Sequence, residues 1–377
     1  MAIQEYVRSL PELDLHGRPS LSYRLHVDLP LLFLLLLLCG AGLLILFSAS
    51  GGDLNLVQKQ GVRVALAFFV MLVVAQFDPR TFQRWGPALY LLGVGLLVAV
   101  LVVGKTGKGA QRWLDLPGLP AFQPSEIMKL AVPIAMAWYL SRYPLPPRYK
   151  HLFWGVVITM IPTVLIVQQP DLGTSLLIAA SGLFVIYLAG MSWRLIVGFF
   201  VSGLMMIPPM WLFGMREYQK QRVLTFLNPE SDPLGSGWNI IQSKTAIGAG
   251  GWEGKGFMQG TQSQLDFLPE SHTDFIIAVL AEEFGFVGAM VLIALYLAIT
   301  LRGLIITVRG RDSFGRLLAG SITLTFFIYV FVNIGMVSGI LPVVGVPLPL
   351  VSWGGTSILT LMAGFGLLMS VSTHQKI

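Results

Sequence analysis

Apolar positions in this chain fall in long unbroken runs, not in the alternation of a half-buried strand. The stretch "LPLLFLLLLLCGAGLLILF" is typical. At 1.5 Å per residue, about 20 such residues span a hydrocarbon core of about 30 Å. Ten runs of this kind are predicted as helices at roughly 29–48, 57–76, 85–103, 124–140, 152–168, 173–190, 194–213, 274–299, 317–338 and 354–371. Backbone groups in lipid must be satisfied within each segment, and the absence of alternation argues against a barrel. The pattern therefore predicts an all-α, polytopic membrane protein of ten transmembrane helices. Residues 1–27 read as an N-terminal segment and 28–377 as one membrane domain. A large extracytoplasmic loop, 214–273, joins helices 7 and 8. The first run could be mistaken for a signal peptide, but acids precede it (Glu5, Glu12, Asp14) and it exceeds a signal core, so it reads as a retained anchor.

Composition agrees: 55% of the 377 residues are hydrophobic and only 12% charged, about half the charged share of a soluble protein. The net charge of +6 comes from basic residues spread over many connections, a distribution that speaks for membrane orientation and against nucleic acid. Arg80, Arg84, Arg142, Arg148, Arg302, Arg309 and Arg311 fall on one side, while the short connections near 49–56, 168–172 and 339–353 hold no Lys or Arg. Both termini are thus expected in the cytoplasm. Two outer connections oppose the bias: 104–123 carries Lys105, Lys108 and Arg112, and 214–273 carries Arg216, Lys220, Arg222, Lys244 and Lys255. Positive charge kept outside suggests an anionic ligand there; ordinary loop solubility is the alternative. The lone Cys39 allows no disulfide within the chain, and five scattered histidines give no metal signature.

Acidic residues at apolar boundaries are the candidates for chemistry. In "SHTDFIIAVLAEEFG", Ser271 and Asp274 have capping-box spacing, so Asp274 could simply cap the next helix. The functional reading makes Asp274 a general base at the outer surface, with Glu282 on the same face about 12 Å deeper. In "FQPSEIMKL", Pro124 suits a first helical position, and Glu126 and Lys129 at i, i+3 can pair. That pair is either a structural orienter or the lining of a polar cavity. Losing one partner should cost more than losing both. "QQPDLGTS" places Asp171 at a tight outer turn, as a helix cap or a cavity group. "GILPVVGVPLPLVSWGGTS" is apolar yet too rich in Pro and Gly for a helix, which predicts a re-entrant or surface-lying loop. "GKT" at Gly104 lacks the first P-loop glycine, and "GAGGWEGKGF" lacks Ser or Thr after Lys255; neither cradles a nucleotide. Residue types alone leave open a transporter, an enzyme acting on a lipid-linked substrate, or a lipid-flipping protein.

Six strings in register carry a resemblance: "GKGAQRWLDLPG", "FQPSEIMKLAVP", "QQPDLGTSLLI", "LGSGWNIIQSKTAIGAGG", "GTQSQLDFLPESHTDFIIAVLAEEFG" and "NIGMVSGILPVVGVPLPLVSWGGTS". Together they resemble the SEDS family (shape, elongation, division and sporulation) of bacterial cell-wall proteins, over about residues 22–372. "QRWLDL" and "LPESHTDF" are more similar to its elongation branch than to its cell-division paralogue. The resemblance implies a ten-helix peptidoglycan glycosyltransferase in the bacterial cytoplasmic membrane. It would polymerise lipid II at the outer face, paired with a class B penicillin-binding transpeptidase and other elongation-complex membrane proteins. The family's catalytic aspartate maps onto Asp274, its cavity ion pair onto Glu126 and Lys129, and its substrate contacts onto Arg112, Lys220 and Arg222. Two departures leave substrate contacts open: Ala121 where some relatives carry a basic residue, and "VSWGGT", with Trp353 and Thr356, for "VSYGGS".

The implied chemistry fits the residues. Outer cations would hold the pyrophosphate of lipid II as it leaves. A carboxylate would take the proton of the acceptor hydroxyl as it attacks the donor's anomeric carbon, inverting it. No cofactor is required by the sequence; a divalent cation (Mg or Mn) could assist the pyrophosphate, but no dedicated metal site is legible. A lipid II flippase and a non-catalytic scaffold for the transpeptidase are the competing readings.

Overall fold

The computed structural model describes residues 25–107, 110–115, 121–215, 217–232, 236–264 and 271–374. Most of the expected N-terminal segment, together with Lys108 and Arg216, lies outside these described residues. Each predicted apolar run contains a helix. The first three are α1 (Leu29–Ala49), α2 (Leu54–Gln76) and α3 (Pro79–Val103). A short antiparallel hairpin, β1 (Lys105–Gly107) with β2 (Ala110–Trp113), follows as the one departure from an all-α reading among the described residues. Then come α4 (Pro124–Leu140), α5 (Tyr149–Gln168), α6 (Leu172–Leu188) and α7 (Trp193–Pro209). The long connection after α7 holds α8 (Glu217–Leu227) and α9 (Ser236–Gly250), before α10 (Ile276–Arg309), α11 (Ser313–Val337) and α12 (Thr356–Thr373). Among the described residues, eight segments are long and apolar enough to cross a membrane, α7 being counted together with the helical turn that extends it to Gly214. The other two, α4 and α6, stop at 17 residues each.

Aspartates start several helices for a local reason. Asp28, Asp53, Asp78, Asp171 and Asp312 each accept a backbone N–H of the first turn, at α1, α2, α3, α6 and α11. Each satisfies a donor the helix cannot, and its charge complements the helix dipole. Asp274 does not do this. The helix expected from 274 begins at Ile276, with Phe275 at the N-cap position and no side-chain cap. The capping-box reading is therefore corrected: Ser271 Oγ instead donates to Ala49 O at 3.5 Å.

Small residues let the elements approach. A Cβ on Gly42 would meet the Cα of Val351 at 2.9 Å, so the apolar loop 338–355 runs directly against α1. Its Val346, Leu348, Leu350 and Val351 are buried. The loop expected to be re-entrant or surface-lying is thus packed into the helix bundle. A second close approach interrupts α10. Gly285 has φ 64° and ψ −161°, a region open to glycine alone among ordinary residues. Around this break Lys255 N donates to Glu282 O at 3.0 Å, Gly256 N to Glu283 O at 2.9 Å and Phe286 N to Gly251 O at 2.9 Å. A Cβ on either Gly254 or Gly285 would strike the other strand's backbone.

The two ends of the bundle differ. At one, Arg302 grips Asp28 with two bonds of 3.0 and 2.7 Å, and Ser372 Oγ adds a third at 2.9 Å. His26 stacks on His374 with ring centroids 3.9 Å apart; burial, then the charge of His374, lowers the His26 pKa. The start of α1 and the end of α12 are thus on the same side. The other end gathers the hairpin, the turn at 168–171, the long connection and loop 338–355.

Candidate functional site

The sequence candidates assemble in groups at this second end. Asp274 stands just before α10, on a turn whose three successive carbonyls are each claimed by another element. Trp353 N donates to His272 O at 2.9 Å, Ser352 Oγ to Thr273 O at 2.5 Å, and Asn333 Nδ2 to Asp274 O at 2.9 Å. The Asp274 carboxylate reaches Gly345, where a Cβ would lie 3.6 Å from Oδ2. Gly345 has φ 74°, so glycine both permits the turn and keeps the space beside the carboxylate open. Arg222, on α8, touches the same stretch, donating to Val343 O at 3.4 Å. Asp274 and Arg222 therefore flank one short segment of the loop. Lys220 lies two residues away and pairs with Glu217 at 3.2 Å.

Glu126 and Lys129 form the pair that their spacing predicts, at 2.6 Å, with both side chains less than a tenth exposed. Lys129 Nζ also donates to Tyr329 OH at 3.1 Å, and Thr360 Oγ1 donates to Glu126 Oε2 at 2.8 Å. Donors and acceptors from three helices are thus matched, as buried charge requires. Lys129 borders a small cavity of about 30 Å³ between α4, α11 and α12, lined also by Thr325 and Phe326. That is room for about one or two waters, and the buried Thr325 hydroxyl beside it has no bond to the described protein groups. Tyr329 and Asn333 lie four residues apart on α11, one turn or about 6 Å along its axis. One face of α11 therefore touches both the ion pair and the Asp274 turn.

Arg112 and Asp171 belong together. Arg112 Nε donates to Gln169 O at 3.2 Å, its Nη2 donates to Pro170 O, and its Nη1 lies 4.0 Å from Asp171 Oδ2. Asp171 caps α6 through Thr174 N at 3.2 Å and accepts from Gln123 Nε2 at 2.9 Å. The arrangement fixes the hairpin and the 168–171 turn beside the start of α4.

Other outer charges have structural partners. Lys105 pairs with Asp115. Glu282, expected on the face of Asp274, is fully buried and accepts from Lys255 Nζ at 2.8 Å, Thr261 N at 2.8 Å and Gln262 N at 3.0 Å. Glu283 accepts from Ser48 Oγ at 2.5 Å. These acids sit in an apolar run because they tie the long connection and α1 to α10. Replacing Glu282 with Ala should lower stability by about 1–3 kcal/mol, since several donors lose their acceptor. Glu282→Gln should lose less. Limited proteolysis within 251–264 and thermal unfolding in detergent measure both.

Sequence reading missed Asn333, Ser352, Tyr329 and Thr360. The available signal was an amide or hydroxyl inside or beside an apolar run, a costly placement that calls for a partner. Among the described residues no three His, Cys, Asp or Glu side chains gather as a metal cradle.

Comparison with known proteins identifies the arrangement. The family model described as "Cell cycle protein" (FTSW_RODA_SPOVE) matches residues 29–377. The chain is similar to the peptidoglycan glycosyltransferase MrdB of Escherichia coli, 54% identical over 94% of this chain and 95% of that protein. It is 36% identical to the probable peptidoglycan glycosyltransferase FtsW of Trichlorobacter lovleyi, over 93% of this chain and 94% of the other. Among solved structures, it matches one described as structural coordination of polymerization and crosslinking by a peptidoglycan synthase complex. The TM-score there is 0.80 at 31% identity, covering 93% of this chain and 99% of that one. The crystal structure of the rod shape determining protein RodA of Thermus thermophilus matches with TM-score 0.69 at 28% identity, covering 93% and 98%. With the fold, the motifs and matches over nearly its whole length in agreement, this chain belongs to the SEDS family, the FtsW, RodA and SpoVE group of cell cycle proteins.

Proposed function

We propose that this protein is a peptidoglycan glycosyltransferase that polymerises lipid II, with Asp274 as the general base. The observation that carries the mechanism is the placement of Asp274. Its carboxylate stands just before α10 on a pinned turn and faces the Cβ-free Gly345 on a segment that Arg222 also touches. In the reaction the acceptor sugar's hydroxyl attacks the donor's anomeric carbon. A C–O bond forms there as the bond to the lipid pyrophosphate breaks, and Asp274 takes the hydroxyl proton. Attack opposite the leaving group inverts the carbon. Arg222 and Lys220 are the cations assigned to the departing diphosphate. Arg112 and Asp171 shape the mouth of the site by holding the hairpin to the 168–171 turn. Glu126 and Lys129 line its floor.

The membrane topology follows the same reading. All ten helices cross, both termini are cytoplasmic, and the site opens at the outer face of the bacterial cytoplasmic membrane. The Lys and Arg bias and the joining of α1 to the end of α12 support this. The 54% identity to MrdB and the likeness to RodA favour a role in elongation. The likeness to a synthase complex supports a class B penicillin-binding transpeptidase as partner.

The test is polymerisation without a bilayer. Purified with its transpeptidase partner and given lipid II in detergent, the native chain should yield glycan strands resolvable on a gel. A flippase or a scaffold yields none under those conditions, because nothing can be transported and nothing is joined.

A further inference from the structure

We propose that Asn333 and Ser352 are positioning residues for the reaction. They act through the backbone of the Asp274 turn and set where its carboxylate points. The inference rests on the assignment of Asp274 as the base and goes beyond it to the groups that aim it.

Asn333 is fully buried on α11. Its Nδ2 uses both hydrogens on carbonyls, Asp274 O at 2.9 Å and Val346 O at 2.7 Å. Carbonyls only accept, so the amide orientation is fixed by chemistry. One side chain therefore ties the base to the loop residue that follows Gly345, the position facing the Asp274 carboxylate. Ser352 does the same one residue earlier. Its hydroxyl donates to Thr273 O at 2.5 Å and accepts from Leu348 N at 2.9 Å. Between them the two side chains hold Thr273 and Asp274 in register with loop residues 345–348.

A packing role alone does not explain Asn333. Its Oδ1 is buried with no hydrogen-bond partner among the described groups. An orphaned buried acceptor is costly, and an apolar side chain of similar size would avoid it. The cost is accepted only where the two donors are needed. Asp274 precedes its helix, and the carbonyls of its turn are held by these bonds from α11 and from the 338–355 loop. Misplacing a catalytic group by about 1 Å can reduce rate about 100-fold.

The test uses full-length protein with its partner, lipid II in detergent, and rates normalised to monodisperse folded enzyme. Asn333→Leu should lower kcat by about 10- to 100-fold with KM within about twofold of native. Ser352→Ala should lower kcat in the same way, and Ser352→Thr, which keeps the hydroxyl, should restore most of it. If Asn333→Leu does not fold, the serine pair decides. Native kcat in folded Ser352→Ala, a loss not restored by Ser352→Thr, or a change confined to KM would overturn the proposal. Asp274→Asn is assayed alongside. If that variant polymerises normally, the base assignment itself is wrong; if it is inactive while the Asn333 and Ser352 variants are normal, only the positioning role fails.

Discussion

Replacing Asp274 with Asn should lower lipid II polymerisation by about 10²–10⁴-fold, the usual contribution of a general base, with no loss of folded protein. The amide has nearly the same shape but cannot accept the acceptor hydroxyl's proton. Folding should be largely spared because α10 begins two residues later, at Ile276, and the amide keeps the size and shape of the carboxylate. The bonds that hold this turn go to its carbonyls, which the substitution leaves in place. The measurement is the rate of glycan-strand formation, with thermal unfolding in detergent as the control. Asp274→Ala should behave alike. Near-native polymer from either variant at native enzyme concentration would remove Asp274 from the chemistry.

The second large effect concerns the buried pair. Lys129→Met alone should destabilise the protein by about 3–5 kcal/mol, because it leaves the Glu126 carboxylate buried with only Thr360 as a bonding partner. Glu126→Gln should cost less than Lys129→Met, since the amide still accepts from Lys129 or Thr360. The double variant Lys129→Met with Glu126→Gln should recover part of the loss, as no uncompensated charge remains. A double-mutant cycle on thermal unfolding reads the coupling. Additive losses, with no recovery in the double variant, would mean that the pair contributes little beyond its separate contacts.

How far the sequence carried depended on the range of the forces involved. Ten apolar runs were legible because helix length and lipid thickness are matched locally. The Glu126–Lys129 bond was legible because i, i+3 spacing on one helix decides it. Asp274 was visible as an acid at a boundary, but its local pattern pointed to a cap. The structure breaks that pattern by pulling its turn toward α11 and the 338–355 loop, partners 59 and 79 residues away. Glu282 illustrates the same limit. Helical spacing put it beneath Asp274, whereas Lys255 and the backbone at 261–262 claim it. Helices α8 and α9 inside the long connection were also missed, since they lack the long apolar runs that mark the others.

The interruption of α10 has a consequence for how freely related chains can vary. There the long connection is joined through main-chain groups of 251–256 to those of 282–287. Peptide groups are common to all residues, so most side chains along this seam can drift without unfastening it. The fixed points are Gly254 and Gly285, where any added carbon meets the opposing backbone. Variation in the water-facing region can therefore proceed while its attachment to the membrane-embedded helix stays unchanged.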